Sequence, residues 1–226
     1  VRSRRQRQMC IRDRPYTFGK MIGDRRQGIA IVLVMAILQF GAMAITLCSE
    51  LAHKGSALMA AGAAMEGKEQ RFGIWGSVLY GSASTGTSTG AVNSMHDSYT
   101  AAGGGTLMLN MMLGEVSPGG VGTGLYGILV VAVLTVFLAG LMVGRTPEYL
   151  GKSIGRREIT PVALYILAMP FALLCGAAIT LLLPGGAQTL QDAGPHGLSE
   201  ILYAYTSASN NNGSAFAGFG AASILH

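Results

Sequence analysis

The sequence predicts an all-α, multi-pass membrane protein built from repeated units. Only 12% of its 226 residues are charged, against roughly 25% in ordinary soluble domains. Three uncharged runs at 28–49, 116–144 and 159–191 reach or exceed the ~20 residues that a helix needs to cross a bilayer. The same order of elements also occurs twice along the chain. These observations favour spanning helices over a soluble core.

The chain begins with a basic leader at 1–15, which is rich in arginine. Because the leader has no apolar core, it lacks the pattern of a secretory signal peptide. It predicts either a basic juxtamembrane arm or non-native sequence that is foreign to the fold. The formal net charge of +5 is concentrated in this leader and in two short loops. The charge therefore predicts membrane topology and no nucleic-acid surface.

The first unit is predicted at 16–144. Its elements are a spanning helix at 28–49, an external loop at 50–70, a short apolar helix at 71–84, a polar stretch at 87–93 and a broken second spanning helix at 106–144. The short helix cannot cross the bilayer, so it must be re-entrant if it lies at membrane depth. Irregular backbone at that depth is tolerated only inside protein or beside a water-filled cavity.

A second, incomplete unit is predicted at 159–226, after a cytoplasmic connection at 145–158. Its elements are a spanning helix at 159–183, a short helix at 197–208 and a polar stretch at 210–216. Net positive charge at 19–27 and at 145–158 places both segments on the cytoplasmic side. The chain between the two spans of the first unit must then enter and leave from outside.

The two polar stretches, STGA and NNGS at their centres, share a design. Each places Ser, Thr or Asn before a glycine, Gly90 in the first unit and Gly213 in the second. A short helix followed by an extended strand with a glycine is how backbone carbonyls are presented to a dehydrated cation. Either stretch alone would equally suit a Ser/Asn-rich surface loop. Their recurrence at matching places favours ion binding.

A cluster of glycines interrupts the second spanning helix of the first unit. It satisfies the dinucleotide pattern G-x-G-x-x-G, but no strand precedes it and no acidic residue follows some 20 residues later. The glycines and Pro118 instead predict a flexible break that faces a cavity. Glu115 adjoins the break, and it is either a cavity-facing functional group or an interfacial anchor.

The remaining candidates predict no enzyme site and no transition-metal site. Cys48 and Cys175 are interpreted as buried apolar thiols within spans. His96 and Asp97 are interpreted as an external cap after the polar stretch. His53 and His196 are interpreted as solvated loop residues. Arg145 and Glu148 either order the turn between units or contact a partner.

Six stretches taken together resemble a known family. They are KMIGDRRQG, STGAVNSMHDSYTA, MLNMMLGEV, GGVGTGLYG, LAGLMVGRTPEYLGKSI and NNNGSAFAG, and in this order and spacing they resemble the KdpA family. That family supplies the potassium-translocating subunit of the bacterial KdpFABC P-type ATPase. Its fold has four pore-type repeats, like that of the potassium channel and transporter superfamily. The resemblance implies that this chain covers the third repeat and part of the fourth.

The resemblance also implies the site residues. The K+ selectivity filter would include Ser88, Thr89, Gly90 and Ala91 from the third repeat, and Asn211, Asn212, Gly213 and Ser214 from the fourth. A gating loop beneath the filter would include Glu115, Gly119, Gly120, Gly122 and Gly124. Potassium would be held by backbone carbonyls, without an organic cofactor.

The function that the resemblance implies is selection of K+ from outside and its transfer to a separate ATPase subunit. Its implied partners are KdpB-like, KdpC-like and KdpF-like subunits and membrane lipid, in a bacterial inner membrane. The sequence has no P-loop and no D-K-T-G phosphorylation motif, so ATP hydrolysis must lie elsewhere and no residue is predicted to be catalytic. The alternative is a Trk- or Ktr-like channel or symporter pore that has no P-type partner.

Overall fold

The computed structural model describes residues 14–52, 65–120, 123–183, 190–192 and 194–216. A short helix at 14–21 precedes six longer helices in the described part of the chain. These are α1 (Arg25–Ala52), α2 (Gly73–Gly86), α3 (Ala101–Met112), α4 (Gly124–Val143), α5 (Arg156–Leu182) and α6 (Pro195–Ser209). A three-residue 3₁₀ turn, His96–Ser98, lies before α3.

Three of these helices, α1, α4 and α5, are long and apolar enough to cross a membrane. Their lengths are 28, 20 and 27 residues, which confirms the predicted multi-pass membrane class. Fewer than one residue in five of each apolar window is buried within the chain. Since most of their apolar side chains point away from the chain, these helices have the surfaces expected of contact with lipid or with further protein.

Each short helix packs against the spanning helix of its own unit. In the first unit α1 contacts α2 and α3, and in the second unit α5 contacts α6. The two units meet where α3 contacts α6 and where α4 contacts α5. A buried apolar cluster of Met111, Tyr203 and Phe216 lies at the first of these contacts. This packing places the ends of α2 and α6 near each other.

Several helix boundaries differ from the predicted ones. The helix α3 begins at 101 and not at 106, because the Thr100 hydroxyl accepts a hydrogen bond from Gly103 N at 3.0 Å. The helix α1 runs on to Ala52, so Glu50 lies in a helix and not in the predicted external loop. The short helices run two residues beyond the predicted end in α2 and one residue beyond it in α6.

The connection between the units, 145–158, contains a hairpin that the sequence did not predict. Strand β1 (Glu148–Tyr149) pairs antiparallel with β2 (Lys152–Ser153). The backbone then enters α5, and the Glu158 side chain accepts a hydrogen bond from Gly155 N at 2.9 Å. Glu148 therefore helps to form the ordered turn between the units.

The prediction of buried thiols is wrong for this chain. Cys48 and Cys175 are both exposed on its surface. Each lies on a spanning helix, so an apolar thiol there is suited to a lipid-facing or protein-facing surface and not to a core within the chain.

Candidate ion-binding site

The two short helices end in the same backbone turn. At the end of α2, Thr89 N donates a hydrogen bond to Ser84 O at 3.0 Å. At the end of α6, Asn212 N donates to Ser207 O at 2.9 Å. In both cases the donor lies five residues after the acceptor. The polar stretches therefore leave their helices along equivalent paths.

The residue before each of these donors has a left-handed backbone. Ser88 has φ 50° and Asn211 has φ 54°, a conformation that Asn tolerates well and Ser adopts less often. The glycines that follow differ, because Gly213 has φ 81° while the φ of Gly90 lies outside the left-handed region. The turn is thus repeated in the backbone, and the glycines serve different purposes.

The two polar stretches lie against each other at Gly90. A β-carbon at this position would lie 2.8 Å from Asn212 O and 3.1 Å from Gly213 O. Both separations are too short for a side chain to fit without movement of the backbone. The glycine therefore allows the carbonyl oxygens of the second stretch to lie beside the backbone of the first.

The last of the three asparagines, Asn212, connects the two units. Its side chain is 4% exposed, and its Nδ2 atom donates weakly to the carbonyls of Ser84 and Thr85, both at 3.4 Å. Its Oδ1 atom accepts from Ser214 N at 3.3 Å. The amide side chain therefore holds the second stretch on the end of α2. By contrast, the Asn210 side chain donates to Thr206 O within its own helix, at 3.1 Å.

A buried polar network supports the second stretch from behind. The Tyr203 hydroxyl contacts Ser214 Oγ at 2.8 Å and His96 Nδ1 at 2.7 Å. The Ser207 hydroxyl donates to Ser214 O at 2.7 Å. The carbonyl of Ser214 is thus engaged by α6, whereas those of Asn212 and Gly213 face Gly90.

The interpretation of His96 as an external cap is wrong. The residue is 1% exposed, and burial lowers the pKa of its imidazole from 6.5 to about 4. The Thr100 side chain provides the cap of α3. His96 is therefore a neutral, buried member of the network at neutral pH. No periodic pattern indicates this role, since the partner of His96, Tyr203, is 107 residues away.

The break between α3 and α4 lies beneath the first polar stretch. The Ser88 hydroxyl lies 3.0 Å from Glu115 Oε1 and 3.0 Å from Gly114 O, so it can donate to either. On the same side, Gly119 N donates to Gly86 O at 3.1 Å. Glu115 therefore contacts a residue of the predicted filter directly. Of the two interpretations of Glu115, this contact favours a functional group over an interfacial anchor.

The glycines of the break allow close backbone packing, so flexibility is not needed to explain them. A β-carbon at Gly119 would clash with the backbone of Gly124, and one at Gly124 would clash with Pro118 O. A β-carbon at Gly127 would clash with Glu115 O. Gly120 is also buried, next to Ser88. Gly122 lies outside the described residues.

Two amide side chains that the sequence analysis passed over hold α2 in place. Asn110 Nδ2 donates to Ser82 O at 2.8 Å and to Thr85 Oγ1 at 3.0 Å. Gln39 Nε2 donates to the same Ser82 carbonyl at 2.9 Å. An amide in an otherwise apolar helix was the available signal, since such groups need a partner away from water.

A buried ion pair joins the end of α1 to the chain before α2. Lys68 Nζ lies 2.8 Å from Glu50 Oε2, and both side chains are 1% exposed. Glu50 Oε1 also accepts from Thr100 N at 2.8 Å. The ammonium lies 4.2 Å from the centre of the Tyr99 ring. The predicted external loop at 50–70 includes both residues, and nothing in the sequence pattern pairs them.

The interpretation of His196 as a lone loop residue is also wrong. The residue lies in the first turn of α6, and its Nε2 atom is 2.7 Å from Asp97 Oδ1. His53, the other lone histidine, lies outside the described residues.

Comparison with known proteins identifies the family. A model of the KdpA family, described as the potassium-transporting ATPase A subunit, matches residues 12–226. A potassium-transporting ATPase potassium-binding subunit from Frankia alni is 61% identical over 90% of this chain and 35% of its own length. Subunits of the same name from Kineococcus radiotolerans and Clavibacter sepedonicus are 60% and 62% identical, over 92% and 90% of this chain and 37% and 38% of their own lengths.

The chain thus spans a little over a third of the length of these curated relatives. The family match, by contrast, covers nearly all of the chain. With three helices able to span a membrane and two equivalent turns at the ends of its short helices, the chain belongs to the KdpA family of potassium-transporting ATPase subunits.

Proposed function

We propose that this chain supplies two of the segments through which a potassium-uptake pump selects K+ from outside. The first segment is Ser88, Thr89, Gly90 and Ala91, and the second is Asn211, Asn212, Gly213 and Ser214. Their backbone carbonyls would replace part of the hydration shell of the ion. The curated relatives are named as potassium-binding subunits, which supports K+ as the ion.

One observation carries this proposal: Gly90 lies in contact with the carbonyl oxygens of Asn212 and Gly213. Two backbone stretches that leave equivalent turns bring carbonyl groups to one place. Carbonyl dipoles stabilise a cation without adding a fixed charge, so the ion can also leave. The engaged carbonyl of Ser214 makes it the weakest of the proposed ligands.

We further propose that Glu115 and the glycines at 119, 120, 122 and 124 form a gating loop beneath these segments. The contact of Ser88 with Glu115 supports a direct mechanical connection between the loop and the filter. A change in the loop would be transmitted to the backbone at Ser88. The ion would pass from there to an ATPase subunit, KdpB-like by family resemblance, that is assembled with KdpC-like and KdpF-like subunits in the bacterial inner membrane.

The experiment uses a chimera, in which this sequence replaces the matched 204 residues of the Frankia alni subunit. The chimera is assembled with the other subunits of that pump, and potassium-dependent ATP hydrolysis is measured against competing Na+ and Rb+. We expect Gly90→Ala, whose β-carbon would displace the carbonyls of Asn212 and Gly213, to lower K+ affinity and to relax discrimination while the complex still assembles. Unchanged affinity and selectivity with normal expression would contradict the proposal.

The same preparation distinguishes the alternative, a Trk- or Ktr-like pore without a P-type partner. A pump subunit must co-purify with the ATPase subunit and must support ATP-dependent uptake. Potassium flux that needs no ATPase subunit would favour the alternative. The names of the curated relatives favour the pump.

A further inference from the structure

Four side chains able to bind a metal ion converge at the start of α6. They are Asp97, Asp192, His196 and Glu200, and each offers one ligand atom within 4.8 Å of the other three. Asp97 comes from the 3₁₀ turn after the first polar stretch, and the other three come from the second unit. The cluster therefore joins the two units at a place separate from the proposed filter residues.

Contacts within the cluster are already short. His196 Nε2 lies 2.7 Å from Asp97 Oδ1 and 3.6 Å from Asp192 Oδ2. The side chains of His196 and Asp192 are 44% and 47% exposed, so solvent reaches the cluster and these two groups can adjust. Asp192 can lie close to α6 because Gly197 has no β-carbon; a β-carbon there would clash with Asp192 O.

The buried member, Glu200, is incompletely satisfied. Its side chain is 0% exposed, and its Oε2 atom accepts a hydrogen bond from Gln191 N at 3.1 Å. Its Oε1 atom has no hydrogen-bond partner among the described residues. A carboxylate oxygen that is buried without a partner is unfavourable unless a proton or a cation compensates it.

The charge of the cluster also calls for a cation. Three carboxyl groups and one imidazole carry up to three negative charges in a small volume. A bound divalent cation would remove the repulsion between these groups and would keep the carboxylates ionised.

We propose that Asp97, Asp192, His196 and Glu200 bind a divalent transition-metal cation, for which Zn2+ is the best chemical match. One imidazole nitrogen with carboxylate oxygens suits Zn2+, whose bonds to such atoms are ~2.0–2.2 Å long. Ligand atoms around such an ion lie roughly 3.5 Å apart, so the widest pairs must close by about 1 Å, while His196 Nε2 and Asp97 Oδ1 must separate from 2.7 Å. The ion takes the place of any proton shared by His196 and Asp97, which is released to solvent.

The bound ion would fasten the 3₁₀ turn of the first unit to α6 of the second. This role is independent of the selection of K+, because no filter residue is a ligand. It also departs from the sequence-based expectation, which included no transition-metal site.

The test is a Zn2+ titration of the purified chimera in detergent. Isothermal calorimetry measures the binding, and thermal unfolding measures the change in stability. We expect saturable binding, a several-degree rise in melting temperature and weaker binding at low pH, where the ligands are protonated. The variants His196→Gln and Asp192→Asn alter partly exposed groups, so they should still fold. Each should weaken Zn2+ binding by about tenfold or more.

The matched control is Glu69→Gln, which removes an exposed carboxylate of the first unit that pairs with Arg71. This variant should bind Zn2+ as the chimera does. Absence of Zn2+-dependent stabilisation in the chimera would overturn the proposal. Binding that is unchanged in the double variant His196→Gln and Asp192→Asn would overturn it as well, because the ion would then be bound elsewhere. Both outcomes are read without reference to K+ transport.

Discussion

The two polar stretches follow the same backbone turn but are held by different neighbours. The first stretch is held by Ser88, whose hydroxyl contacts Gly114 and Glu115 at the break between α3 and α4. The second stretch is held by two other contacts, from Asn212 to the end of α2 and from Ser214 to Tyr203. Repeated backbone with unrepeated side chains indicates that the shared task belongs to the main chain. The side chains of the two stretches differ because each stretch has different neighbours.

The largest expected effect tests the two glycines, which occupy equivalent positions for different reasons. Asparagine tolerates the left-handed φ of Gly213, and in the described part of the chain no atom lies within 4 Å of a β-carbon there. At Gly90 any side chain would displace the carbonyls of Asn212 and Gly213. We expect Gly90→Asn to lower the K+ affinity of the assembled chimera by about tenfold or more, a loss of at least ~1.4 kcal/mol. Gly213→Asn should have a much smaller effect, and equal effects in potassium-dependent ATPase assays would contradict the distinction.

The next effect concerns pH, since His96 supports only the second stretch. Its folded pKa of about 4 lies below the ordinary 6.5, so the unfolded chain takes up a proton first as pH falls. Stability should therefore decrease between pH 6.5 and pH 4, by up to about 1.4 kcal/mol per pH unit. His96→Gln should remove this component of the pH dependence, while His53→Gln serves as the control for loss of a histidine. Thermal unfolding across this pH range measures the difference, and parallel curves for the chimera and His96→Gln would refute the assignment.

A smaller effect is expected from the side chains that precede the glycines. Asn212→Ala removes the contacts with the Ser84 and Thr85 carbonyls, and we expect a loss of about 1–2 kcal/mol in unfolding free energy. Thr89→Ala, at the equivalent place, alters an exposed side chain whose hydroxyl contacts only its neighbour Thr87. Its effect should stay within about 0.5 kcal/mol. Detergent unfolding of the two variants side by side measures the contrast, and the reverse order would show that the second stretch is not held by its amide.

The smallest effect separates turn strain from anchoring. Glycine relieves the left-handed backbone at Ser88 and at Asn211 alike. Ser88→Gly also loses the hydroxyl contacts with Gly114 and Glu115, so it should lower stability by up to about 1 kcal/mol. Asn211→Gly should be neutral or slightly stabilising. Amide hydrogen exchange at 113–120 should increase in Ser88→Gly alone, and an equal increase in both variants would contradict a specific connection to the break.

The architecture was predictable because it depends on features that are local along the chain. Length and absence of charge are enough to indicate α1, α4 and α5. The recurrence of a short helix followed by a glycine-containing polar stretch pointed to equivalent turns at Thr89 and Asn212. The broken helix was visible in Pro118 and its neighbouring glycines.

The anchors were not predictable in the same way, because each joins residues that are far apart in sequence. Neither Glu50 with Lys68 nor His96 with Tyr203 leaves a periodic pattern. The charge count even concealed Glu50, since paired charges cancel in a topology argument. The close backbone packing at the glycines of the break was not predictable either, because composition alone cannot separate a need for close packing from a need for movement.

The buried pair of Glu50 and Lys68 has a consequence for protein engineering. The pair joins the residues that precede 53–64 to those that follow this segment. On the following side, Met95 N also donates a backbone hydrogen bond to Gly67 O. Once the ends of a loop are fixed, each doubling of its length adds only about 0.6 kcal/mol of closure entropy. A peptide tag inserted between 53 and 64 should therefore leave the pair in place, and it would give antibody fragments an epitope on the assembled protein.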